Sequence, residues 1–136
     1  MKKLLIGVGS LFALNSCIPK YSSYPVTNTA ANSEKEYQKV LKGYQSETAE
    51  VLTYLLNGES PEEPNTAFTV ENTSKCNMVL TVTGNRYYKK IPIAAGKTGS
   101  VMIPKNQTYQ LTGMVCNSSY QATKFIATSY SVKLSN

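Results

Sequence analysis

The chain contains no His, no Trp and no Asp, so its 8 acidic residues are all Glu, set against 14 Lys and Arg over 136 residues. Without His there is no Ser-His-Asp triad, no HExxH zinc site and no facial iron triad; without Asp, no EF-hand loop. No GxGxxG or GxxxxGK[ST] cradle for phosphates occurs, and no S-x-x-K or G-x-S-x-G sets a serine beside a base. Paired carboxylates for acid–base work would have to come from Glu62 and Glu63 in a Pro-flanked linker or from a helical segment. The reading is therefore a non-enzyme without cofactor or metal. One domain with an appendage fits the length.

The first residues, MKKLLIGVGSLFALNSC, place Lys2 and Lys3 before an apolar run from Leu4 to Leu14. Eleven residues fall short of the ~20 needed to cross a bilayer as a helix, and suit the apolar centre of a secretory signal. Leu14-Asn15-Ser16-Cys17 then resembles the lipobox of bacterial lipoproteins, with Asn15 a mild departure. That resemblance implies a signal peptide over 1–16 and acylation at Cys17, which anchors the chain to a membrane. Several acyl chains hold firmly where one holds marginally. Ile18-Pro19-Lys20 carries no Asp after the Cys and no acidic run, which resembles an outer-membrane, periplasm-facing destination.

With Cys17 assigned to lipid, Cys76 and Cys116 form an even pair in an oxidising compartment, and a disulfide between them is expected. It closes a loop of about 41 residues, for which chain entropy gives roughly 4 kcal/mol. No CxxC is present, and two thiolates without His make a poor metal site.

Residues 17–32 mix Pro, Ser, Thr, Asn and Tyr without period and read as a tether, reaching roughly 20 Å at ~5–6 Å × √n. A helical segment follows over 33–58. Ser33 to Glu36 has the form of a capping box, and Tyr37, Leu41, Tyr44, Thr48, Val51 and Leu55 make a helical stripe. Gly43 interrupts it and Ser46-Glu47 offers a second start, so 34–43 and 47–57 are expected as two helices or as one continuous helix. Residues 59–66 form a linker. From Ala67 the period becomes two, with turn residues between short runs, which predicts a mainly β domain over 67–136. The architecture expected is an antiparallel, Ig-like β-sandwich of about seven strands.

Several stretches together carry a further resemblance: Ser33-Glu-Lys-Glu-Tyr37, Thr48-Ala-Glu-Val-Leu-Thr-Tyr-Leu-Leu-Asn57, Ser74-Lys-Cys-Asn-Met78, Tyr87-Tyr-Lys-Lys-Ile-Pro-Ile93, Tyr109-Gln-Leu-Thr-Gly-Met-Val-Cys116 and Tyr130-Ser-Val-Lys-Leu134. With the lipobox they look like an uncharacterised lipoprotein family of Bacteroidota, of flavobacterial type, one of the numbered domains of unknown function. The resemblance implies an envelope β-domain and supplies no catalytic residue.

Charge divides along the chain. Residues 17–66 hold 4 Lys and 7 Glu; residues 67–136 hold 7 Lys and Arg86 against Glu71 alone. Arg86, Tyr87, Tyr88, Lys89 and Lys90 interleave charge with aromatics on an expected hairpin. Behind a signal peptide such a cluster would meet lipid phosphate, lipopolysaccharide or cell-wall polymer rather than nucleic acid. The alternative is a solvated strand face whose lysines protect an edge. Ten tyrosines raise the question of a sugar surface, but Trp and Asp are missing and β-propensity accounts for most of them. The sequons at Asn72, Asn106 and Asn117 are discounted as chance patterns. Two functions stand: a structural or interaction module docking another envelope protein, or a binder of an anionic envelope ligand. In either, the acidic helical segment is expected to fold onto the basic sandwich.

Overall fold

A computed structural model describes residues 30–136. Cys17, the signal and most of the tether lie outside the described residues. Two helices, α1 (Ala30–Gly43) and α2 (Thr48–Asn57), precede seven strands. These are β1 (Asn65–Asn72), β2 (Met78–Gly84), β3 (Tyr87–Ile93), β4 (Thr98–Pro104), β5 (Gln107–Val115), β6 (Ser118–Ile126) and β7 (Tyr130–Leu134).

The helical segment is two helices. The N–H of Tyr44 closes α1 on the carbonyl of Leu41 at 3.3 Å, and that of Val51 opens α2 on the carbonyl of Glu47 at 3.0 Å. Between them Ser46 Oγ accepts the N–H of Thr48. The expected capping box does not form. Ser33 lies inside α1 and is buried, while Glu36, its would-be reciprocal partner, reaches Lys90 across 2.6 Å. A local cap lost to a tertiary ion pair.

The strands make two sheets, β4-β1-β7 and β3-β2-β5-β6. All neighbours run antiparallel except β1 and β7, which are parallel, with Phe68 opposite Tyr130 and Asn72 opposite Leu134. Alternation sends Phe68, Val70, Leu80, Val82, Ile91, Ile93, Val101, Ile103, Tyr109 and Leu111 into one core between the sheets. Each such side chain contributes ~1.5–3 kcal/mol of transfer free energy before ordering costs. At Gly113 a Cβ would stand 2.7 Å from the carbonyl oxygen of Val79, so β5 approaches β2 too closely there for a side chain.

The expected disulfide is present. Cys76 precedes β2, Cys116 follows β5, and their Cα atoms are 5.3 Å apart. At the same end Asn72, fully buried, donates to the carbonyls of Cys76 and Ile93 at 2.8 and 3.1 Å, and its Oδ1 accepts from the N–H and hydroxyl of Ser74. The sequon at Asn72 is thus a structural amide.

The helices straddle the border between β3 and β4: α1 packs on β2 and β3, α2 on β4 and β1. Val79 and Ala67 fall out of phase with the core positions of their strands yet are buried, which places the helices on the outer faces of the two sheets. The helical segment therefore folds onto the sandwich, through Tyr37, Tyr44 and Val51. Leu41 and Leu55, on the same stripe, stay 44% and 48% exposed. Broken at Gly43, the stripe faces two sheets instead of one.

Candidate functional site

The basic cluster sits on the β2–β3 hairpin, and the fold divides it. Arg86 occupies the exposed turn at φ 62°. Tyr87 follows the inward register of Ile91 and Ile93 and meets Tyr109 edge-on, with ring centroids 5.8 Å apart. Burial, with the Glu47 carboxylate second, drives its phenol well above the usual tyrosine range, and its buried Oη has no hydrogen-bond partner among the described residues. Tyr88 points outward, 64% exposed. Lys89 turns toward the helices, where Glu47 pairs with it and the ring of Tyr44 lies 5.5 Å away. Lys90 faces α1, and its hydrogen bond to Glu36 holds the ammonium above its ordinary value.

The five residues predicted to share one ligand-binding face therefore point in three directions. Strand alternation separates Tyr87 and Lys89 from Tyr88 and Lys90, and two glutamates of the acidic helical segment engage both ammonium groups. Two cations of the β domain are thereby engaged inside the molecule.

Glu47 is the residue that sequence reasoning undervalued. Read as the start of a helix, it stands where the chain crosses from one sheet to the other. One carboxylate oxygen pairs with Lys89 on β3 while the other accepts the N–H of Met102 on β4 at 3.0 Å. Tyr44 beside it is pushed up to about 12, by burial first and by the Glu47 charge second. Its only sequence signal was a Glu in the gap of a broken stripe.

Two surfaces stay open. A groove of about 750 Å³ runs along α2, lined by Glu50, Thr53, Tyr54, Ser60, Glu63 and Met102. Tyr54 closes its floor by donating to Thr66 Oγ1 at 3.3 Å. Hydroxyls and two carboxylates line it. On another side of α2, Leu52, Leu55 and Leu56 are 54%, 48% and 85% exposed. Among the described residues no three His, Cys, Asp or Glu converge as for a metal, and no helix is long and apolar enough to cross a membrane.

The family described as "Domain of unknown function (DUF6759)" matches residues 33–136. No curated protein matches the chain. A crystal structure of a DUF3823 family protein from Parabacteroides merdae is similar at TM-score 0.41 and 15% identity, over 54% of this chain and 46% of that one. The chain thus spans about half the length of that protein.

Proposed function

Because the chain belongs to the DUF6759 family, which carries no assigned activity, we propose its role from its own residues: a non-catalytic lipoprotein of the cell envelope that docks another envelope protein through α2. The observation that carries this reading is the run of exposed leucines 52, 55 and 56. Within α2 Val51 is buried and Tyr54 half-buried against the sandwich, while the leucine flank is left exposed. Contiguous apolar side chains on a surface favour association, and Leu56 at 85% exposure would gain most from being covered. Attachment rests on the lipobox-like Leu14–Cys17, with Cys17 acylated and the outer membrane's periplasmic side as destination.

The rival reading is an anionic ligand on the basic hairpin. It has less support, because Lys89 and Lys90 are already engaged by Glu47 and Glu36. Co-purification from native membranes tests the choice. A protein recovered with the full chain in high salt and lost with Leu52→Asp/Leu56→Asp supports docking. Equal recovery with both forms, or binding to anionic liposomes that salt abolishes, overturns it. Mass spectrometry of the membrane-extracted chain tests the anchor: an N-terminal peptide beginning elsewhere than Cys17, without acyl mass, sinks it.

A further inference from the structure

On the outer face of the four-stranded sheet α1 lies against β2 and β3 and touches β5; toward the β2–β3 turn and along β6 the outward residues are exposed. Register places Tyr88 opposite Thr83, Thr83 opposite Gln110, and Gln110 opposite Thr123; one pleat further along, Thr108 lies opposite Phe125. All six are exposed and all six alternate with inward residues of the core, so they share one outward surface.

Three properties of this surface point to one kind of occupant. First, none of the six carries a charge, in a chain with 14 Lys and Arg and 8 Glu. Lys90, two residues from Tyr88 on the same strand, is paired to Glu36. Second, the surface begins and ends in an aromatic ring, with Tyr88 and Phe125 each 64% exposed. Third, the hydroxyls of Thr83, Thr108 and Thr123 and the amide of Gln110 take part in none of the side-chain hydrogen bonds formed among the described residues. Their donors and acceptors are spent on solvent alone.

A membrane or nucleic-acid partner would require cations here. A protein partner would require an apolar centre, whereas this surface is polar in the middle and aromatic at its ends. A neutral sugar chain fits both parts. Its C–H faces stack on aromatic rings and its hydroxyls exchange hydrogen bonds with Thr and Gln. The two rings stand three strands apart, ~14 Å at ~4.8 Å per strand, with ~7 Å of stagger along the strand, hence ~16 Å from ring to ring. That separation suits an extended chain bridging both rings rather than a single sugar.

We propose that the open face of the four-stranded sheet, from Tyr88 to Phe125, is a contact surface for an uncharged polysaccharide. This stands independently of protein docking by α2, which lies on the other sheet. Binding is shallow and therefore weak per ring, and it does not depend on salt.

The test uses the full chain in detergent, run in native gels containing soluble neutral β-glucan, xylan, mannan or α-glucan, and sedimented with insoluble chitin. Retardation or co-sedimentation by at least one of these is expected, persisting in high salt. It should fall at least tenfold in Tyr88→Ala and in Phe125→Ala, survive in Tyr88→Phe, and be unchanged in Arg86→Ala. Both alanine variants alter exposed side chains, and an unchanged circular dichroism melt establishes that they fold. No binding to any of the five probes overturns the proposal. So does binding that salt abolishes or that neither alanine variant weakens. Self-association lost in Phe125→Ala, seen by sedimentation velocity without any polysaccharide, would assign the face to a second copy instead and equally overturn it.

Discussion

The carboxylate of Glu47 accepts the backbone N–H of Met102 at 3.0 Å while it pairs with Lys89 on the facing sheet. Met102 lies on β4, an edge strand of one sheet; Lys89 lies on β3, an edge strand of the other. A single side chain, delivered by the gap between two helices, thus closes the side of the sandwich where both sheets end. Unpaired edges invite association with other chains, and here a charge and a crossing loop occupy that position.

Glu47→Ala should cost about 1–3 kcal/mol, since it removes an ion pair and leaves a backbone donor without its acceptor. Urea denaturation measures this. A double-mutant cycle with Lys89→Met isolates the pair, with coupling of about 1 kcal/mol or less that shrinks in salt. Amide exchange at Met102 should quicken in the Glu47 variant and stay unchanged in Lys89→Met.

Asn72→Ala should be the more damaging change, at roughly 2–4 kcal/mol, because the carbonyls of Cys76 and Ile93 and the Ser74 hydroxyl lose a buried partner together. Asn72→Asp should do no better. Its carboxylate keeps the contact to Ser74 but turns charge toward carbonyl oxygens. A melting temperature equal to wild type in either variant would refute the role given to this amide.

Reduction of Cys76–Cys116, which spans 40 residues of sequence, should lower stability by roughly 4 kcal/mol. Thiol labelling of the denatured, unreduced chain should modify neither cysteine, and Cys76→Ser/Cys116→Ser should reproduce the loss.

Alkaline unfolding is expected between pH 10 and 12. Burial pushes Tyr44 and Tyr109 up to about 12 in the folded chain, against 10.0 when exposed. Below pH 10 both states keep these protons and the two phenols leave stability unchanged. Between 10 and 12 the unfolded chain loses them first, so stability falls as pH rises through that window. Tyrosinate absorbance should show a late phase coincident with loss of the β-sheet signal, and Tyr44→Phe should move that phase to higher pH.

The parts of this fold that depend on near neighbours were legible in the sequence. The helices expected over 34–43 and 47–57 are found at Ala30–Gly43 and Thr48–Asn57, because the apolar spacing and Gly43 act locally. The period of two from Ala67 anticipated seven strands for the same reason, and the even pair left once Cys17 is set aside anticipated the disulfide. What stayed hidden depends on contacts made across the fold. Nothing near Ser33 indicates that Glu36 will leave it for Lys90, nor does the run Arg86–Lys90 reveal that alternation will point Lys89 and Lys90 at different glutamates. The parallel partner of β1 was equally illegible, since an alternating strand carries the same pattern in either direction. The open surface from Tyr88 to Phe125 joins residues of four strands that no sequence window holds together.

The middle position of β1 in its sheet also sets an order of events. β2 with β3, and β5 with β6, are hairpins that can close as soon as both of their strands have been made. β1 is made before either, yet it must wait for β4 on one side and then for Tyr130–Leu134 on the other. Loop closure over such distances is slow relative to hairpin formation. Through that interval Phe68 and Val70 belong to a strand without a sheet, which makes the first strand synthesised the last to be completed, and the segment for which a chaperone would have most to do.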